Sequence, residues 1–138
     1  MLRFSLTLVA ILICLRCLSQ QHQDEIRMSI YFGGGSSYIT EEQETQLHEW
    51  LDTIPNLLEK YEIQLISHTD PIGGRAFNEQ LSKMRSNAVL HLLKQRSIPE
   101  NRVFIKDWGY ENPVYSNNSH SGMTMNRRVD VILYPIIF

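Results

Sequence analysis

Apolar and polar positions change their period several times along the chain. Met28-Ser29-Ile30-Tyr31-Phe32 has the aromatic and β-branched content of a strand and stops at Gly33-Gly34-Gly35-Ser36-Ser37. Thr40 and Gln43 form a capping-box start, and Leu47, Trp50, Leu51, Ile54 and Leu58 then recur at helical spacing to about Tyr61. Pro55 should kink or divide that helix, because its ring removes a backbone donor. Residues 62–67 alternate in part and predict a second strand, which ends in a turn-rich run, His68-Thr69-Asp70-Pro71-Ile72-Gly73-Gly74. A second helix is expected from about Arg75 to Gln95, a third strand over 103–106, and a last strand over 128–134 after a polar surface loop at 107–126. This βαβαββ order predicts an α/β (α+β) two-layer sandwich, a mixed sheet with two main helices on one face. The domain should occupy residues 28–138, behind a short polar leader at 20–27.

The first nineteen residues are of another kind. Arg3 precedes an almost uninterrupted apolar run at 4–15, and Cys17-Leu18-Ser19 places small residues before Gln20, the pattern of a cleaved secretory signal peptide. Arg16 closes the run short of the ~20 apolar residues that a spanning helix needs. Cys14 follows Ile13 and Cys17 follows Arg16, contexts that argue against a lipid anchor. Cleavage would remove both cysteines, so the exported chain cannot rely on disulfides even in an oxidising compartment. It would also remove Arg3 and Arg16 from the thirteen basic residues and none of the fifteen acidic ones, leaving a formal charge of minus 4. That balance argues against a nucleic-acid partner. The five histidines are scattered, so neither a metal site nor a cofactor is expected.

One helix carries an oddity. With Leu81 at zero on a wheel of about 100° per residue, Leu92, Ala88 and Met84 define an apolar stripe, and Arg85 at about 40° and Asn78 at about 60° fall on the same face. A guanidinium directed into the protein must reach a carboxylate, a set of carbonyls or an anionic ligand. Asp70 is the nearest plausible partner. Two arrangements remain open: an internal Asp70–Arg85 ion pair with Asn78 supporting it, or the two charges standing apart to hold a zwitterion, Arg85 taking a carboxylate and Asp70 an ammonium. Asn126-Arg127-Arg128, ahead of the last strand, offers two guanidinium groups that should point to opposite sides, one toward a ligand and one toward solvent.

Read together, Ser67-His68-Thr69-Asp70, Gly73, Asn78, Leu81-Ser82, Arg85, Val89, Gly109, Pro113 and Asn126-Arg127-Arg128-Val129 resemble the OmpA-like peptidoglycan-binding domain, over essentially the whole chain after the leader. The resemblance implies non-covalent binding of peptidoglycan, with Asp70 and Arg85 holding the ammonium and carboxylate of diaminopimelate in the stem peptide. Asn78, Thr69 and Arg127 or Arg128 are implied as supporting ligand residues. It further implies export to the periplasm and association with the cell wall or outer membrane, with other envelope proteins as further partners. Three positions depart from the family pattern: Ser67 where glycine is usual, Pro71-Ile72 after the aspartate, and Gly33 where many members carry an acidic residue. A catalytic reading would join His68 and Asp70 to Ser67 or Ser82, but alternate strand residues face opposite ways, so no enzyme is expected. The rival is an interaction module that kept the fold, lost wall binding, and meets a protein through Trp108, Tyr110 and Tyr115.

Overall fold

The computed structural model describes residues 25–137. The expected signal peptide and residues 20–24 of the expected leader lie outside the described residues. Strand β1 (Ile26–Tyr31) begins two residues before the expected boundary. Thr40 caps helix α1 (Glu41–Asp52): its hydroxyl accepts from the Gln43 amide at 3.2 Å while the Gln43 side chain accepts from the Thr40 amide at 3.0 Å. The expected long helix is divided rather than kinked. After Pro55, Asn56 takes a left-handed φ of 55°, and a single turn, α2 (Leu57–Lys60), leads directly into β2 (Tyr61–His68). Tyr61 is therefore the first residue of a strand and not the end of a helix. Helix α3 (Arg75–Gln95) has the expected bounds, and β3 (Val103–Asp107) follows it. The expected surface loop contains a short helix, α4 (His120–Asn126), ahead of β4 (Arg128–Pro135).

The sheet order is β1-β4-β2-β3, with β4 antiparallel to both of its neighbours and β2 parallel to β3. This mixed sheet has its two main helices, α1 and α3, on one face, as the order of elements implied. The register puts Met28, Leu65 and Val131 side by side, and Ile26, Ile63 and Leu133 likewise. These residues pack with Leu47, Leu51, Val89 and Leu93 from the helices into one core. The buried stripe of α3 is rotated from the expected one. Met84 is 48% exposed, whereas Asn78, Ser82, Arg85, Ser86 and Val89 are buried, so Arg85 and Asn78 lie near the middle of the helix's inner face.

The other sheet face carries a polar network beside the buried Ile132. Asp130 accepts from Ser29 Oγ at 2.6 Å and from Arg128 Nε at 3.0 Å, with Arg27 Nη1 at 3.5 Å. His68 is buried on this same face, opposite Arg128 in the register, and burial followed by the Arg128 charge pushes its imidazole from 6.5 down to about 4. The unfolded chain therefore binds the extra proton first as pH falls, and stability should drop between pH 6.5 and about 4. After a discount for solvent screening the loss is about 2 kcal/mol. Urea unfolding at pH 7 and pH 4.5 should show it, and His68→Gln should flatten the difference. An unchanged difference in that variant would assign the acid sensitivity to other groups.

Candidate functional site

The C-terminal ends of β2 and β3 build the site. Past His68 the chain leaves the sheet, held where the Thr69 amide donates to Gly109 O at 2.7 Å and the Trp108 amide to Ser67 O at 3.0 Å. Asp70 Oδ1 accepts from the Ile72 amide at 3.1 Å, a side-chain-closed turn. Gly73 and Gly74, at φ of 97° and 81°, then swing the chain into α3, a conformation that costs a glycine little. Asn78 clamps this turn by donating from Nδ2 to Ile72 O and Gly74 O, both at 2.9 Å.

Arg85 is fully buried. Its Nε donates to Ser36 O at 2.8 Å, Nη2 to Gly33 O at 2.9 Å and Nη1 to His68 O at 3.2 Å, and the Phe32 ring lies 5.0 Å from the guanidinium carbon. All three acceptors are neutral backbone carbonyls, two of them from the glycine-rich segment after β1. Burial pushes Arg85 down to about 10; the Asp70 charge opposes that shift and Arg127 adds to it. The group stays a cation at neutral pH.

The internal Asp70–Arg85 ion pair is not formed. Asp70 Oδ2 pairs instead with Arg127 Nη1 at 3.2 Å, while Arg127 Nε donates to Phe32 O and Nη2 to Thr124 Oγ1. Thus Asp70, Arg85 and Arg127 meet at one end of the sheet and Asn78 supports them. Thr69 and Asn78 each bring a buried oxygen, Oγ1 and Oδ1, that has no hydrogen-bond partner. Ser67 Oγ, at the position where the family pattern has glycine, is likewise buried without one.

Arg128 departs from the expectation. It is neither turned toward this site nor solvated: its Nε reaches both Asp130 oxygens, Nη1 donates to Met125 O, and the guanidinium lies 5.2 Å from the Tyr115 ring. Adjacent strand positions face opposite sides, so the network on the other sheet face takes Arg128 while Arg127 stays beside Asp70. Asn126 joins the two regions by bonding Tyr115 through both its amide oxygen and nitrogen, and Asn117 as well. Trp108 and Tyr110 are half-buried, with Lys106 Nζ 4.4 Å from the Trp108 ring, whereas Tyr115 is exposed. Ser67 lies on the helix side of the sheet and His68 on the other, and Ser82 Oγ is engaged by Glu79 O and the Gly109 amide. No nucleophile–base pair forms from them.

Sequence reasoning did not single out Ser36 or Phe77. Phe77 lies in the first turn of α3, 49% exposed, directly against Gly73. Its legible signal was an aromatic residue placed three positions after a paired-glycine turn.

A profile of the OmpA family matches residues 31–127, well over half of the chain. The chain is 29% identical over 118 residues to the peptidoglycan-associated lipoprotein of Brucella melitensis, covering 83% of this chain and 68% of that one. It is 30% identical over 71 residues to the outer-membrane lipoprotein YfiB of Pseudomonas aeruginosa, covering 51% of this chain and 42% of YfiB. It spans 34% of the length of the outer membrane protein A of Bordetella avium. Among solved structures, a MotB-like protein from Desulfovibrio vulgaris superposes with a TM-score of 0.67 at 22% identity, covering 83% of this chain and 75% of that one. The cell wall anchor of the T6SS from Pseudomonas aeruginosa gives 0.65 at 23%, with 82% and 83% covered. At these identities the likeness is one of fold.

Proposed function

The chain belongs to the OmpA family, and on that premise we propose that it grips peptidoglycan non-covalently through the diaminopimelate of the stem peptide. Its relatives include outer-membrane and peptidoglycan-associated lipoproteins, and the chain is an exported protein of the periplasm, associated with the cell wall or outer membrane. They are binding and structural envelope proteins rather than enzymes.

The observation that carries the finer reading is Arg85. A fully buried guanidinium that donates only to neutral carbonyls keeps its whole charge uncompensated by hydrogen-bond partners and retains two of its five N–H donors. That is the electrostatic demand of a carboxylate ligand. Asp70, buried nearby and paired through one oxygen, supplies the negative group for an ammonium. A carboxylate and an ammonium on one carbon are the head group of an amino acid, and diaminopimelate presents that head group free at the end of its side chain.

The test is a pull-down and titration of the purified protein with diaminopimelate-type peptidoglycan and its stem peptide, beside Asp70→Asn. The wild type should be retained, and Asp70→Asn, folded as judged by circular dichroism, should lose affinity by tenfold or more, on the order of 1.4 kcal/mol or above. Retention of that variant at full affinity would remove Asp70 from the site, and failure of the wild type to bind would end the reading.

A further inference from the structure

We propose that residues 33–37 form a gate that occupies the ligand edge of Arg85 in the unliganded protein, and that Phe77 is its latch. A guanidinium takes a carboxylate side-on through Nε and Nη2. Here those two nitrogens donate to Ser36 O and Gly33 O, so two carbonyls of one short segment stand where the two carboxylate oxygens would stand. Arg85 is 0% exposed in consequence. Its third bond, to His68 O, comes from β2 and does not depend on the segment.

Phe77 braces the closed arrangement from outside. A methyl group on Gly73 would stand 2.5 Å from Phe77 Cδ1, and one on Gly35 would stand 3.9 Å from its Cζ. The ring therefore bridges the two loops that flank Asp70 and Arg85. Gly35 holds a left-handed φ of 64° in the closed segment. The carbonyls are neutral and a carboxylate is charged, so an arriving ligand can displace them, and opening the segment is the step that limits its affinity. The effect on ligand affinity rests on the proposed diaminopimelate site; the shielding of Arg85 does not.

Two readouts separate these claims. The first needs no ligand: the rate at which phenylglyoxal modifies Arg85, followed by peptide mass, against the exposed Arg75 as internal reference. Arg85 should be protected in the wild type, and both Phe77→Ala and Gly35→Ala should speed its modification, by about fivefold for the strained alanine at 35. Phe77 is half-exposed, so its alanine variant should stay folded, and the second variant leaves Phe77 in place. The second readout is calorimetric titration with meso-diaminopimelate, which Gly35→Ala should bind about fivefold more tightly. Arg85 as reactive as Arg75 in the wild type, or unchanged in both variants, would overturn the gate, as would unchanged or weaker binding by Gly35→Ala when the wild type binds. Loss of protection in both variants without binding by any of the proteins would retain the gate and discard the diaminopimelate site.

Discussion

Replacing Arg85 with alanine is expected to abolish retention on peptidoglycan and to lower the unfolding free energy by about 3 kcal/mol. Three carbonyls lose their donor, those of Gly33, Ser36 and His68, and the Phe32 ring loses the cation beside it. A long side chain in the middle of the buried face of α3 is also removed, leaving a cavity. One effect works the other way: the desolvation cost of a buried guanidinium disappears. Arg85→Met separates the two, because it refills much of the volume without the charge and should recover part of the stability but none of the binding. Urea denaturation and the pull-down, run on both variants, give the comparison. Wild-type stability in the alanine variant would mean that water replaces the guanidinium at all three carbonyls, and binding by the methionine variant would exclude Arg85 as the ligand cation.

Gly122→Ala should cost about 3 kcal/mol although it places a better helix former inside a helix. A methyl group there would fall 1.8 Å from Ser116 O and 2.9 Å from Ser116 C, which are backbone atoms that cannot rotate away. Asn126 ties the adjoining loop to the end of α4 through Tyr115 and Asn117, and Arg127 follows directly. The damage should therefore reach Asp70's ion pair and weaken wall binding as well as stability. A thermal melt should move down by about 10 °C, as expected for a domain of this size. A shift of only 2 °C or less would show that the loop at 113–119 yields at little cost, and would remove the proposed transmission to Arg127.

The strands and helices were readable because their signals are local. Alternation at 62–67, the capping box at Thr40 and the paired glycines before Arg75 depend on neighbours within a few residues, and the starts of α1 and α3 follow from them. Pro55 gave the break but not its form, since the left-handed Asn56 and the entry of Tyr61 into β2 depend on strand pairing with β4. The helix within 107–126 escaped because His120-Ser121-Gly122-Met123 has no apolar stripe; the fit of Gly122 against Ser116 is a tertiary contact. Met84 was misplaced for a related reason. It prolongs an apolar pattern on the wheel, but the sheet approaches α3 from the side of Val89 and Ser82.

By itself, the sequence determined the α/β order, the single core, and the presence on one helix face of a cation that the protein must accommodate. Local patterning and side-chain chemistry suffice for these, as they did for placing Asp70, Asn78 and Arg85 around one turn. Which charges pair was decided only by the tertiary structure. Asp70 took Arg127 across 57 positions, Arg128 took Asp130 on the far side of the sheet, and Arg85 was left to carbonyls contributed from Gly33, Ser36 and His68. Electrostatic partners are chosen by distance and burial in three dimensions, and residue type and spacing along the chain do not encode those distances.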